Sequence, residues 1–239
     1  MYLAPEKITW LKTLLNSLIL LLAWLLTGCF GASRKEAALP MDDIYFEYTI
    51  NGEEGNDSVS VMIRFKELDE YGPALSIEPG KVLLDGKQLM PDSTEMTGPF
   101  YAATRQMQSF TGKHSIEVTL PDEKKFKEEF SFRPFALKPG LKDTIGRNKF
   151  QLDFEGLVNG DVLRVMITDT SFTGDGIHRL DTVWHNRVIF TKGDLSYLES
   201  GPLNLELTRE SIKKIRNGTN AGGTLSVSYS IRRECWLED

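Results

Sequence analysis

Imidazole is the side chain most ready to bind a metal or move a proton near neutral pH, and the chain has three histidines, His114, His178 and His185. The last two lie seven apart, among Asp175, Asp181 and Trp184. Carboxylates and imidazoles gathered in this way are the material of a metal or acid–base site. A separation of seven outside a fixed helix, however, is not a recognisable ligand spacing. The segment reads as a polar loop followed by a strand, and Asp175, His178, Asp181 and Trp184 are expected to form a binding loop with no metal.

Other candidates lack essential parts. The run Asp169-Thr170-Ser171-Phe172-Thr173-Gly174-Asp175-Gly176 sets oxygen ligands beside glycines. It has neither the alternating acidic order nor the distal bidentate glutamate of a calcium loop, so a turn-rich loop is the better reading. Ser211-Ile212-Lys213-Lys214 matches the Ser-x-x-Lys of penicillin-binding enzymes without the companion motifs that chemistry needs. Cys235, beside Trp236, reads as a small buried hydrophobe, because a reactive thiol needs a base and an electropositive pocket. Tyr45, Tyr48, Tyr71, Phe100, Tyr101, Phe172 and Trp184 are available for a sugar or peptide platform, though most aromatics of an alternating strand face the core. Gly-x-Ser-x-Gly, His-Glu-x-x-His, Cys-x-x-Cys, phosphate-loop and dinucleotide motifs do not occur in the sequence. No catalytic residue and no cofactor are expected, and the chain reads as a non-enzyme.

One cysteine has a different chemistry. Two lysines in residues 1–12 precede an apolar run at residues 14–26, which is shorter than the ~20 residues a spanning helix prefers. Then come Leu26, Thr27, Gly28 and Cys29. A small residue before the cut lets the backbone enter a peptidase, and the thiol can take up a diacylglyceryl group. Leu-Thr-Gly-Cys resembles the lipobox of bacterial lipoproteins, which implies cleavage between Gly28 and Cys29 and lipid on Cys29. The alternative is an uncleaved single-pass anchor with an incidental cysteine. Two or three acyl chains, at about 0.8 kcal/mol per buried methylene, would hold the protein almost permanently.

The formal net charge is −6, and removing residues 1–28 takes away a net +1 and leaves −7. Phosphate-backbone binding needs a clustered basic footprint, so no nucleic-acid partner is expected. The cluster at residues 209–216 and the pair Arg232-Arg233 read as solvated faces.

The elements that must position these residues are strands. Apolar residues alternate at 59–65, 116–120, 150–154, 203–207 and 225–231, the pattern of strands with one face on a core. Asn51-Gly52, Asp85-Gly86, Asn159-Gly160, Asn217-Gly218 and Gly222-Gly223 read as turns. Residues 193–199 and 210–216 have room for a turn or two of helix. Pro134 and Pro139 read as a stiff connector between sheets.

The predicted layout is a signal peptide (1–28), a lipidated tether (29–41) reaching roughly 20 Å, and β-sandwich domains at 42–133 and 134–239. The fold class is all-β, two tandem immunoglobulin-like or fibronectin-like sandwiches. The whole layout is similar to that of envelope lipoproteins of the Bacteroidota with immunoglobulin-like domains. That resemblance implies a lipid-anchored protein of the cell envelope, most naturally of the outer membrane, acting as a non-catalytic binding or structural module. Its partners would be the membrane, through Cys29, and a protein or glycan of the envelope. The alternatives are a small envelope enzyme or metal-dependent glycan-active protein built on Asp175, His178, Asp181 and His185, and an accessory subunit of an envelope transport or adhesion complex.

Overall fold

The computed structural model describes residues 41–170 and 176–239, so Gly28, Cys29 and the apolar run before them, as well as Asp175, lie outside the described residues. Strands dominate what is described, as the period of two requires, and no described helix is long and apolar enough to cross a membrane.

The first half contributes β1 (Ile44–Glu53), β2 (Ser58–Glu67), β3 (Lys81–Leu84), β4 (Lys87–Leu89), β5 (Pro91–Thr94), β6 (Gly98–Gln106), β7 (Gly112–Thr119) and β8 (Lys125–Phe132). One layer runs β1-β2-β6-β5 and the other β4-β3-β7-β8. Lettered in chain order these are A-B-E-D against C′-C-F-G, the immunoglobulin-like arrangement. Asp85 and Gly86, at φ 51° and 74°, turn β3 into β4 as an Asp-Gly pair should.

The second half contributes β9 (Ala136–Leu137), β10 (Thr144–Gly146), β11 (Phe150–Glu155), β12 (Val162–Asp169), β13 (Ile177–Thr182), β14 (Arg187–Phe190), a one-turn helix α1 (Lys192–Leu195), β15 (Gly201–Lys214) and β16 (Gly223–Glu238). The layers are β14-β11-β9 and β13-β12-β15-β16, again the A-B-E and C′-C-F-G sets of an immunoglobulin-like sandwich. Strand β10 lies parallel to β16, at Thr144 opposite Trp236.

The halves share a layer. Strand β1 pairs in parallel with β16 from Phe46 opposite Gly223 to Glu53 opposite Ser230. Because β15 holds the other edge of β16, β1 and β10 occupy one edge of it in succession. The layer of β1 and the layer of β16 thereby form, with β10, a single nine-stranded sheet.

Alternation decides what is buried. Phe46 and Phe65 face each other across β1 and β2, both fully buried, with rings 5.3 Å apart. In the second half Phe150 stacks on Phe190 at 4.5 Å. Tyr229 touches Phe132 at 6.0 Å and Phe135 at 5.5 Å, so one aromatic cluster joins the layers of both halves.

Three local expectations are corrected. Asn51-Gly52 is not a turn but part of β1, and its glycine is needed because a Cβ there would lie 2.6 Å from the Phe132 ring. Residues 210–214 continue β15 as strand, since pairing with β16 from Glu210–Ser228 to Lys214–Thr224 overrides local helical preference. The stretch around Pro134 and Pro139, which looks like a connector, carries β9, and Phe135 is buried. A helix does start at Lys192, where Thr191 and Asp194 form a reciprocal cap.

Candidate functional site

The alternation that buries Leu203, Leu205 and Leu207 places Arg209 next on the same face of β15. Sequence patterning assigned Arg209 to a solvated basic cluster. It is instead only 7% exposed, because β15 runs on in register beyond its apolar stretch. The parity of the three leucines, carried two residues further, was the signal that could have found it.

Arg209 lies on the floor of a cleft of about 780 Å³. Ser211 and Lys213 of β15 continue the floor, β7 and β8 supply one wall, and Gly160, Asp161 and Val162 supply the other. The turn at Gly160 (φ 92°) is held by Asp161, whose carboxylate accepts the Val158 N–H at 3.0 Å. The same carboxylate pairs with Arg133 at 3.3 Å. Arg209 receives no such partner among the described residues, where its buried Nη1 has no hydrogen bond. Burial first, and then the charge of Arg133, pull its pKa below the ordinary arginine range, against the opposing pull of Asp161.

His114 lines the same cleft but is fully engaged. Its Nδ1 lies 2.8 Å from Asp85, its Nε2 lies 2.8 Å from the Phe110 carbonyl oxygen, and its ring stacks on Phe110 at 3.8 Å. Asp85 also accepts the Ser115 N–H at 2.9 Å. The imidazole thus pins the β3–β4 turn to β7, and neither nitrogen is left to ligate a metal or activate a serine hydroxyl.

Among the described residues, those singled out by sequence do not share one face. His178 is exposed on β13, opposite Met166, whereas Asp181, three positions on, faces the other side opposite Leu163. An odd separation in a strand always does this. Asp181 pairs with Arg179 at 2.9 Å, and Arg179 also pairs with Asp194 at 2.9 Å while lying 4.7 Å from the centre of the Phe190 ring. This is a packed ionic cluster that ties β13 to α1. Trp184 is 60% exposed in the turn before β14, and His185 beside it has φ 54°. Asp175 lies outside the described residues. Among the described residues no group of three or more metal-binding side chains is arranged to hold an ion.

Of the candidate aromatics, Tyr48 and Tyr101 are buried, and Tyr71 and Trp184 are exposed. Cys235 is buried and free, and burial pushes its thiol up to about 11.

No protein-family model matches the chain, and no curated protein matches it in sequence. Solved structures align loosely. Dpr11 IG1 bound to DIP-gamma aligns at 9% identity over 79% of this chain and 98% of that one, with a TM-score of 0.24. A 1.5-MDa bacterial ice-binding adhesin aligns at 12% identity over 82% and 64%, with a TM-score of 0.24. SGBP-B of the mixed-linkage glucan utilization locus of Bacteroides ovatus, in complex with a mixed-linkage heptasaccharide, aligns at 10% identity over 82% and 60%, with a TM-score of 0.19. At TM-scores this low the likenesses carry no argument about ligand or partner.

Proposed function

We propose that the mature chain is a non-catalytic binding module of the cell envelope, held at the outer membrane by lipid on Cys29, and that it engages a protein or glycan partner through the cleft over Arg209. The observation that carries this reading is the cleft itself: a floor with a buried charge, walled by both halves, whose imidazole is already committed to Asp85 and Phe110. That is the equipment of recognition rather than of turnover. Residues 42–133 and 134–239 are proposed as two sandwich modules joined along a shared sheet. Confinement to a membrane raises the effective concentration of a partner in the same layer, so a moderate affinity suffices.

The test is capture of partners from the native envelope by three forms of the lipidated protein. Ser211→Trp, which fills the cleft, is expected to lose the partner recovered with the parent. Alanine at Asp175, His178 and Asp181 together is expected to keep it. If Ser211→Trp captures the same partner as the parent, the cleft reading is wrong; if only the triple variant loses it, the binding surface is the loop.

A further inference from the structure

We propose that the cleft over Arg209 is an oxyanion site, taking a carboxylate, phosphate or sulfate group of its ligand against Arg209 and Arg133. The inference rests on the reading of the cleft as the binding site and names the chemistry it selects. Four carboxylates line the cleft, and each is engaged. Asp85 is held by His114 at 2.8 Å, Asp161 by Arg133 at 3.3 Å, Glu129 by Lys127 at 3.9 Å, and Glu210 by Arg164, which lies outside the lining. Arg209, Lys113 and Lys213 also line it, and none of the three has an ion-pair partner among the described residues. The cleft therefore carries an excess of positive charge in a protein whose net charge is −6.

The lysines are exposed, and water can solvate them. Water reaches little of Arg209. It is 7% exposed, its Nη1 is shut off from water without a hydrogen bond, and the charge of Arg133 repels it while that of Asp161, already paired with Arg133, attracts it. A buried guanidinium left unpaired destabilises a fold, whereas the same group completed by an anion does not. Its charge is delocalised over a planar fork, so an oxyanion meeting the part of the group that lines the cleft compensates the whole. Arg133, exposed at the rim and tied to Asp161, stands beside it to complete a two-arginine grip.

The experiment is isothermal titration of the full chain in detergent with sodium phosphate, sodium sulfate, sodium acetate and a galacturonate disaccharide, each against sodium chloride at equal ionic strength. At least one oxyanion is expected to bind saturably where chloride does not. Arg209→Met and Arg133→Met should each weaken that binding at least tenfold, and Arg216→Met, an exposed arginine outside the cleft, should leave it unchanged. The unliganded Arg209→Met protein should melt no lower than the parent, because the substitution removes an unpaired buried charge. If Arg209→Met fails to fold, Arg133→Met carries the comparison. Inorganic phosphate or sulfate binding more tightly than the uronate points to a free or ester-linked tetrahedral anion, and the reverse order to an acidic saccharide. Absence of oxyanion binding in the parent, or equal binding by parent and both cleft variants, overturns the inference. If Ser211→Trp still loses its envelope partner in that event, the binding role stands and only the charge assignment falls. If Ser211→Trp keeps its partner, the binding role falls whatever the titration gives.

Discussion

Gly223 sits at the start of the parallel seam, opposite Phe46, and it is buried. A Cβ added there would lie 2.4 Å from the Phe46 carbonyl oxygen, 2.8 Å from Ile215 Cδ1 and 2.9 Å from Phe46 Cβ. The first of these is roughly 1 Å inside van der Waals contact and is made to backbone, which cannot rotate away. To admit a methyl group, β1 must move off β16, stretching the bond from Phe46 N–H to the Gly222 oxygen at 3.1 Å. Overpacking of this kind costs ~1–3 kcal/mol, and the backbone clash puts Gly223→Ala at the upper end, about 2–3 kcal/mol. With a urea dependence of about 2 kcal/mol/M, the midpoint should fall by about 1 M. The described residues belong to one compact unit and contain two of the four tryptophans, Trp184 and Trp236, both in the second half. Fluorescence therefore follows the second half, and far-UV circular dichroism follows both. The parent should show coincident transitions, and in Gly223→Ala the dichroism should begin to fall before the fluorescence. An unchanged midpoint, with coincident curves in both proteins, would refute the claim that the seam couples the halves.

Three further outcomes are expected. Cys29→Ser should accumulate as unprocessed precursor, seen as slower migration and loss of labelled fatty acid; a normally processed, membrane-bound product would exclude lipidation at that residue. Arg147→Met removes hydrogen bonds to the Leu195 and Leu198 carbonyl oxygens at 2.9 and 2.8 Å and the pair with Asp239 at 3.0 Å, and should cost about 2 kcal/mol in urea unfolding. Burial holds the Cys235 thiol neutral up to about 11, so disulfide-exchange reagents at pH 8 should label it slowly in the native protein and completely in urea. The sign follows from linkage: between pH 9 and about 11 the unfolded chain ionises its thiol first, so the associated stability is whole below pH 9 and declines above it, and Cys235→Ala should flatten that decline.

What was legible in the sequence is what is local. Val59, Val61, Ile63 and Phe65 alternate in sequence and are buried together in β2, because the side-chain period of a strand is two whatever it pairs with. Asp85-Gly86 marks a true reversal because positive φ is a property of those residues. Asn51-Gly52 misleads for the same reason: a glycine needed to clear the Phe132 ring looks in sequence like one needed for φ. The seam joins Phe46 to a partner at residue 223, and no local pattern records a pairing of that range. Arg209 was hidden by composition, since Arg209, Lys213, Lys214 and Arg216 look like a solvated face until strand parity separates Arg209 from Lys214. His178 and Asp181 are near in sequence and apart in space, which only the period of the strand could have warned of.

The seam and the cleft are consequences of one mismatch in length. Strands β15 and β16 have 14 and 16 residues, while β14, β11 and β9, which cover them in the second half, have 4, 6 and 2. The overhanging part of the inner face needs other cover, and pairing β1 along β16 brings the β7–β8 layer over it. Arg209 lies where the two covers meet, between β8 on one side and Asp161 on the other, so neither half alone builds the site. Gly223 does not line the cleft, yet a variant that shifts β1 off β16 moves one wall relative to the other. Gly223→Ala, titrated under conditions where it is still folded, should therefore bind phosphate or sulfate several-fold more weakly than the parent with Arg209 and Arg133 intact. Undiminished affinity in a variant whose seam has measurably loosened would show that the site belongs to one half, and that the shared sheet serves stability alone.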